Sequence, residues 1–510
     1  MKKQLLILMV LFISSIGNVN SQTLVHDINP GSGDSYPAEV TNLGSDYYFR
    51  ALDGTNGSEL WKYDGTTTTL VADINPGSGH SVPSLFTTLG SNLYFKADDG
   101  TTGEKLWKFN GTTAILIDVN PGGVSEPEAL TLYGNVLYFI SNNGSNVKEL
   151  WKYDGVTATL AHVISSGGTG VPSQLIEYNT DLYFTANDGA TGLELWKYDG
   201  TTASLVQDIN PGSGNSSPTN FTVLGTDLFF RADDGINGSE LWKYDGTAAT
   251  LVEDINPGSG NSSVSHLTSF GTDLYFVAND GTTGLELWKY NGTSASLIDI
   301  NPGSEGSAPD MLTPLGNSLY LRTYISPNGF QLRKCDGVSA TEIVINSVTG
   351  NADVDGLTVL GPDLYFHAND GTSGTELWKY DGTAVSLVQD INPGSGDSDV
   401  SPLSVIGTDL FFRADDGTNG IELWKLDGSS LGINNYELVE KLNIYPNPTT
   451  DYIQLNNFTK VESFTIYNAL GMEISKHSIS NNEKVDVKNY VNGLYFLKFK
   501  NGHTLKFIKK

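Results

Sequence analysis

The chain has 510 residues, enough for three or four ordinary domains at roughly 100 to 200 residues each. It carries 58 acidic against 29 basic residues, a net charge of −29, so nucleic acid and anionic membrane surfaces are excluded as partners of its main body, because polyanions would be repelled. Its single cysteine, Cys335, excludes an internal disulfide framework and any cysteine cluster for zinc or an iron-sulfur centre.

In chain order the first element is a leader. Lys2 and Lys3 precede an apolar run from Leu5 to Ile16, and Val19-Asn20-Ser21 offers a small-residue cleavage site before Gln22. This predicts a secretory signal peptide over residues 1–21, because the run is shorter than the about 20 apolar residues that span a bilayer. No transmembrane segment is expected once it is removed.

Residues 23–427 are an internal repeat. All eight tryptophans, Trp61, Trp107, Trp151, Trp196, Trp242, Trp288, Trp378 and Trp424, fall in one recurring phrase at intervals of 46, 44, 45, 46, 46, 90 and 46 residues. Arg333 sits midway in the double interval, so nine copies are present. Each copy reads as four short strands, a to d, with Pro83 to Leu89, Leu93 to Ala97, Lys105 to Phe109 and Ala114 to Val119 in the second. Asp-Gly or Asn-Gly between c and d, as at Asp64 and Asn110, predicts a two-residue hairpin turn with positive φ at both centres. Four-stranded units at this period are propeller blades. The array opens with a lone strand d, Leu24 to Ile28, and stops after strand c, Glu422 to Leu426, so the expectation is an all-β propeller of about nine blades closed by pairing these ends. An eight-bladed ring with a displaced copy, or an open superhelix, are the alternatives.

The phrases Glu59-Leu60-Trp61-Lys62-Tyr63-Asp64-Gly65-Thr66 and Glu194 to Thr201 resemble the bacterial ELWxxDGT repeat family, also labelled hyalin-like. The resemblance implies architecture and an extracellular setting more than an activity. Copy seven departs most, with Leu321 for Phe and Arg333 for Trp, and copies three and seven lose the Asp-Ile-Asn-Pro-Gly ending of strand d.

Residues 428–442 read as a linker, and beyond it the charge changes sign, with ten lysines against seven acidic residues from Glu437 to Lys510. Strand-like segments at Tyr452 to Leu455, Ser463 to Tyr467, Glu483 to Val487, Tyr495 to Lys500 and Thr504 to Ile508 predict a small β-sandwich over 443–510. Three ordered phrases, Ile444 to Ile453 with Tyr445, Pro446, Asn447 and Pro448, Ile466 to Ile474 with Gly471, and Val491 to Phe499 with Gly493 and Tyr495, resemble the C-terminal sorting domain of type IX secretion substrates. The resemblance implies the type IX machinery as a partner, and a protein secreted from, or held on the outer-membrane surface of, a Gram-negative bacterium.

Recurrence decides the chemistry, since a residue present in every copy serves what every blade needs. The tryptophans are expected between blades, not as ligand platforms. The Glu two before Trp and the Lys after it are read as cross-strand ion pairs or snorkelling side chains. Strand b ends in a basic residue in five copies, Arg50, Lys96, Arg231, Arg322 and Arg413, and Arg231 is expected to pair with Asp233 or Asp234, although arginines in sialidase propellers grip carboxylates. No hydrolase, metalloprotease or phosphate-loop motif occurs, and the seven histidines form no cluster in sequence. Catalytic residues and cofactors are therefore expected to be absent. The one metal reading is calcium at the loop aspartates Asp27, Asp73, Asp118, Asp208, Asp254, Asp299 and Asp390, with oxygens at alternate positions such as Asn29 and Gly31. An Asn-Pro-Gly turn fixed by the aspartate competes with it and needs no metal. The functional expectation is a non-enzymatic secreted or surface protein that binds glycan, matrix or another protein. An extracellular glycan-active hydrolase using unique residues of the diverged copies, and a structural surface-layer protein, are the alternatives. The long d to a and b to c loops should share one acidic face, and binding is placed there.

Overall fold

The computed structural model describes residues 22–428 apart from 122, 143, 145–146, 165–169, 171 and 347–349, and residues 443–510 apart from 446, 448, 457–461, 469–471, 480–482 and 500–503. The expected leader and nearly all of the expected linker lie outside these residues. The chain divides into two units, Met1–Leu431 and Gly432–Lys510.

The first unit is nine four-stranded antiparallel sheets, each hydrogen-bonded in the order a-b-c-d. Blade one is Ala38–Leu43, Asp46–Leu52, Ser58–Tyr63 and Thr68–Ala72. Blade nine takes strands a to c from Ser401–Ile406, Asp409–Asp415 and Ile421–Leu426, and strand d from Gln22–His26. Gln22 pairs with Leu426 and Leu24 with Trp424, so the ends close on each other as the spacing predicts, with the closing strand beginning at Gln22. The strands a form an inner circle in which Ala38–Leu43 also meets Ser401–Ile406 of blade nine.

Alternation along the strands puts two apolar faces on every blade, and each is buried against a neighbour. Leu228, Phe230, Ala232, Trp242 and Tyr244 of blade five pack on Tyr183, Leu195 and Ile209 of blade four. From the opposite face of blade five, Phe229 and Leu241 pack on Leu274, Phe276 and Trp288 of blade six. Trp61, Trp196, Trp242, Trp288, Trp378 and Trp424 are all buried at such seams, which makes them packing residues. The Lys after Trp does pair across strands: Lys62, Lys197, Lys243 and Lys289 meet Asp46, Asp181, Asp227 and Asp273 at 3.1, 2.9, 3.0 and 2.8 Å.

The c to d turn differs from expectation. Gly65 alone has positive φ, 93°, while Asp64 does not enter the left-handed region. Four residues, Asp64 to Thr67, make the turn: Asp64 N–H donates to the Thr67 carbonyl, and the Asp64 carboxylate accepts the N–H groups of Thr66 and Thr67 at 2.9 and 2.8 Å. An aspartate that caps its own turn removes the need for a second left-handed residue.

The second unit is a small sandwich of a three-stranded and a four-stranded sheet around Ile453, Leu455, Ile466, Val485, Leu497 and Phe507. Strands Asn443–Tyr445 and Glu473–Ile479, which the pattern reading missed, belong to it.

Candidate functional site

The loop face is built on the residue two before Trp, a glutamate in seven blades. That position ends under the d to a loop of its own blade, where backbone N–H groups turn inward. In blade one the Glu59 carboxylate accepts Ile74 N–H at 2.8 Å, Ser81 N–H at 2.9 Å and the Ser81 hydroxyl at 2.6 Å. Glu194 does the same with Ile209 and Ser216, and Glu422 with Ile28, Asn29 and Ser35. These glutamates are fully buried and accept from the loops, which corrects the ion-pair reading. Burial pushes their carboxyls up, to about 7 at Glu240, Glu376 and Glu422, against the downward pull of the hydrogen bonds. Blade two inverts the charge: Lys105, equally buried, donates to Asp118 Oδ1 at 2.8 Å and the Asn120 carbonyl at 2.7 Å. Blade seven uses Gln331, which donates to the Gly350 carbonyl at 3.1 Å.

The loop itself is keyed from both sides. The Asn75 amide spans the loop to the His80 carbonyl at 3.1 Å, and a Cβ on Gly100 of the next blade would lie 2.3 Å from Asn75 Oδ1. A Cβ on Gly57 of the same blade would lie 1.7 Å from the Gly79 carbonyl, so no side chain fits at this position of blade one. The candidate calcium residues serve these turns. Asp27, Asp73, Asp208, Asp254 and Asp390 each accept the N–H four residues on, at 3.1 to 3.2 Å, and Asp118 pairs with Lys105. Asp299 is exposed at the same place in the loop after blade six. Asn29, the proposed second ligand, spends its amide on the Asp34 carbonyl at 2.9 Å. Among the described residues no three His, Cys, Asp or Glu side chains converge as a metal site. The acidic b to c loops are likewise self-capped. Burial would raise Asp99, yet N–H and hydroxyl donors from Thr102 and Thr101 hold it down to about 2.

At the mouth of the inner circle, the second residue of strand a is left-handed although not glycine in seven blades. Glu39, Leu85, Ala129, Gln174, Asn220, His266 and Met311 have φ from 51° to 60°. Blade eight has Gly356 there, at 69°. The side chain near the end of strand b, at the position of the five basic residues, reaches the start of the next blade's strand a. The Thr185 hydroxyl donates to the Pro218 carbonyl, and Arg322 donates to the Val354 carbonyl at 3.3 Å and pairs with Asp355 at 3.3 Å. Arg322 also grips Asp310 through Nε and Nη2 at 2.8 and 2.6 Å, with His367 3.8 Å from Asp355, a charge-compensated strut that no sequence cluster announced. Arg231 makes no ion pair with Asp233 or Asp234, whose carboxylates cap Gly235, Ile236 and Asn237 N–H groups instead. Arg413 lies 6.0 Å from the Tyr36 ring across the closing seam.

Two cavities stand out. One of about 300 Å3 opens on the loop face between blades seven and eight, lined by Asn346, Asn351, Asp353, Asn369, Gly371, Thr372, Gly374 and Ser395. The larger, about 550 Å3, lies on the sorting-domain sheet beside Phe464, His477 and Lys498, far in sequence from the repeat chemistry. Of the sorting-motif residues, Asn447 clasps the last strand, donating to the Lys506 carbonyl at 3.1 Å and accepting Ile508 N–H at 3.0 Å. Tyr495 is buried, stacks on Phe507 at 5.3 Å and donates to the Val491 carbonyl at 2.8 Å. Gly493 begins the strand Gly493–Phe499, and Tyr445 ends the strand Asn443–Tyr445. Pro446, Pro448 and Gly471 lie outside the described residues.

A nine-bladed propeller followed by a small sandwich is the class this geometry defines. Residues 443–510 match the family model of the secretion system C-terminal sorting domain, which implies export by type IX secretion to the cell surface or beyond. No curated protein matches the chain. Among solved structures it is similar to PorZ, an essential bacterial surface component of the type-IX secretion system of Porphyromonas gingivalis, at 13% identity and TM-score 0.35, over 92% of this chain and 75% of that one. It is also similar to the β-propeller domain of the Trilobed protease from Pyrococcus furiosus, at 9% identity and TM-score 0.34, over 61% and 98%. A third similarity is to a puromycin-hydrolyzing peptidase of Mycobacterium tuberculosis, at 13% identity and TM-score 0.34, over 65% and 57%.

Proposed function

We propose that the protein is an exported, non-enzymatic binding protein of the ELWxxDGT-repeat type that presents the loop face of its propeller to a glycan, matrix or protein ligand. The observation that carries this reading is the ring of left-handed residues at the second position of strand a. Each non-glycine residue there costs about 1 to 3 kcal/mol, which glycine, as in blade eight, would relieve. Seven blades nevertheless keep a side chain, and the seven differ in charge, size and polarity, while the residues that build the blade barely change. Function explains that combination, because packing repeats from blade to blade and a ligand does not. The Arg322 cluster does not favour hydrolysis, since its charges are already spent on one another.

The test is a glycan and protein array probed with the mature chain and with the triple variant Glu39→Asn, Gln174→Asn, His266→Asn, since Asn tolerates the left-handed region. Binding should be lost in the triple variant and kept in Thr112→Ala on the opposite turn face. Loss through Thr112→Ala alone would move the site to the other face, and turnover of an array substrate would replace binding by catalysis.

A further inference from the structure

Two seams of the inner circle carry the same guanidinium in opposite settings. Between blades seven and eight, Arg322 grips Asp310, the residue opposite it in the ladder, at 2.8 and 2.6 Å, and meets Asp355 and the Val354 carbonyl of the next blade, each at 3.3 Å. Between blades five and six each of those partners is replaced. Thr219, not an aspartate, stands opposite Arg231 in the ladder. Ser265 takes the place of Asp355 at the start of the strand Ser265–Phe270. The Val264 carbonyl, which stands where that of Val354 does, already accepts the Asn220 amide at 3.1 Å. Arg231 is half-buried, and among the described residues its guanidinium makes no hydrogen bond and no ion pair. The loops that border this seam, residues 208–218, 234–238 and 254–264, are described throughout.

The other basic residues at this position are differently placed. Lys96 is paired with Glu104 at 3.0 Å, Arg413 lies over Tyr36, whose hydroxyl is bonded to Asp34 at 2.7 Å, and Arg50 faces Ala38 with the exposed Glu39 next in the strand. Around Arg231 the groups can hydrogen-bond without cancelling its charge. The Thr219 hydroxyl is buried with no partner, so both polar groups of that rung are unsatisfied. His266 Nδ1 meets the Ser265 hydroxyl at 3.1 Å, and Asn220 and His266 are two of the left-handed residues, with φ of 60° and 54°. Asp233 and Asp234 spend their carboxylates on N–H groups of their own loop at 2.7 to 2.9 Å. A guanidinium drawn half out of water without a counter-charge is costly, and a bound carboxylate supplies one through two parallel N–H···O bonds. A chain of net charge −29 repels polyanions, so this single guanidinium suits one negative charge on an otherwise neutral partner. The hydroxyl and imidazole beside it match sugar hydroxyls, each of which both donates and accepts.

Resting on the loop-face reading, we infer that the seam between blades five and six is a subsite for one carboxylate-bearing sugar unit, with the Arg231 guanidinium on the carboxylate and Ser265 and His266 at the ring hydroxyls.

The experiment titrates methyl glucuronide, methyl galacturonide, methyl glucoside, a sulfated galactose and N-acetyl-aspartate amide into the mature chain, with ligand-detected NMR as the readout. Saturable binding of at least one uronide is expected, about tenfold or more tighter than methyl glucoside, which lacks the charge-assisted hydrogen bonds. Arg231→Met should weaken the uronide about tenfold or more at unchanged melting temperature, and Arg231→Lys should recover part of the loss, since it keeps the charge without the fork. Lys243→Met, which removes a positive charge from the turn end of the same blade, should leave binding unchanged. No saturable uronide binding, glucoside bound as tightly as uronide, or equal losses in Arg231→Met and Lys243→Met overturns the subsite. Tighter binding of the sulfated sugar or of the aspartate amide than of either uronide also overturns it, in favour of a sulfate ester or an acidic peptide. The array of the preceding section separates the two readings: ligand capture that the triple variant abolishes but Arg231→Met spares sinks the subsite alone, and no capture on any array sinks the loop-face reading.

Discussion

Blades five and seven have the same sheet and nearly the same register, yet share few of the residues that mark the repeat. Blade five buries Trp242, anchors its loop with Glu240 and keeps the Asp254 turn. Blade seven has Arg333, Gln331 and, in place of Asp254, Val344, and its strand c carries one more residue, Gly329–Cys335 against Ser239–Tyr244. Arg333 rests half-buried on Thr323 and Gln331, and pairs with Glu342 at 3.6 Å. The difference teaches that the blade is specified by its ladder, its turn spacing and the apolar residues of strand b. The Trp adds stability that one blade in nine forgoes, and the Glu adds loop order that two blades obtain from Lys105 and Gln331 instead.

The comparison breaks first at the tryptophan. Trp242→Ala should cost about 3 to 5 kcal/mol in denaturant unfolding, and Arg333→Ala about 1 kcal/mol or less. Equal losses would mean that blade seven is packed as tightly as the rest. Removing residues 22–28 strips blade nine of strand d and leaves a bare sheet edge, so melting should fall and self-association rise on gel filtration. Unchanged behaviour would show that the circle does not need its closing strand.

The buried glutamates sharpen the contrast through pH. A carboxyl raised from 4.5 to about 7 in the folded state stabilises fully below pH 4.5, and that contribution is lost as pH rises through about 7. Melting temperature should therefore fall between pH 5 and 8 by an amount worth ~1 to 3 kcal/mol per carboxyl. The triple Glu240→Gln, Glu376→Gln, Glu422→Gln variant, which gives three blades the side chain of blade seven, should flatten the profile. A profile unaltered by the variant would assign the pH dependence elsewhere. The smallest effect belongs to the half-buried Lys243–Asp227 pair: Lys243→Met should change stability by about 1 kcal/mol or less, and less again at high salt.

Much of this architecture is legible in the sequence. The tryptophan spacing carries the blade count, the lone strands at either end of the array carry the closure, and three ordered phrases carry the sorting domain. Glu59 and its equivalents were misread because a charged residue in an alternating strand has the same pattern whether it faces water or a loop folded over it. Only the positions of the Ile74 and Ser81 N–H groups distinguish the two. The Asp64 turn was misread because Asp-Gly serves a two-residue hairpin and a self-capped four-residue turn equally well. The pocket between blades seven and eight was hidden for a different reason: Asn351, Asn369 and Ser395 come together only when consecutive blades are placed side by side.

The pairing of Gln22 with Leu426 changes how the nine repeats respond to stress. A linear array of repeats frays from its ends, each terminal unit unfolding against a single interface. A circle has no terminal unit, so opening any seam requires a second one to open or the closing strand to let go. The propeller should accordingly unfold in one transition, with amide protons of blade one and blade nine as slow to exchange as those of blade five. A protein released from the cell would thereby withstand proteases that begin at a loose end.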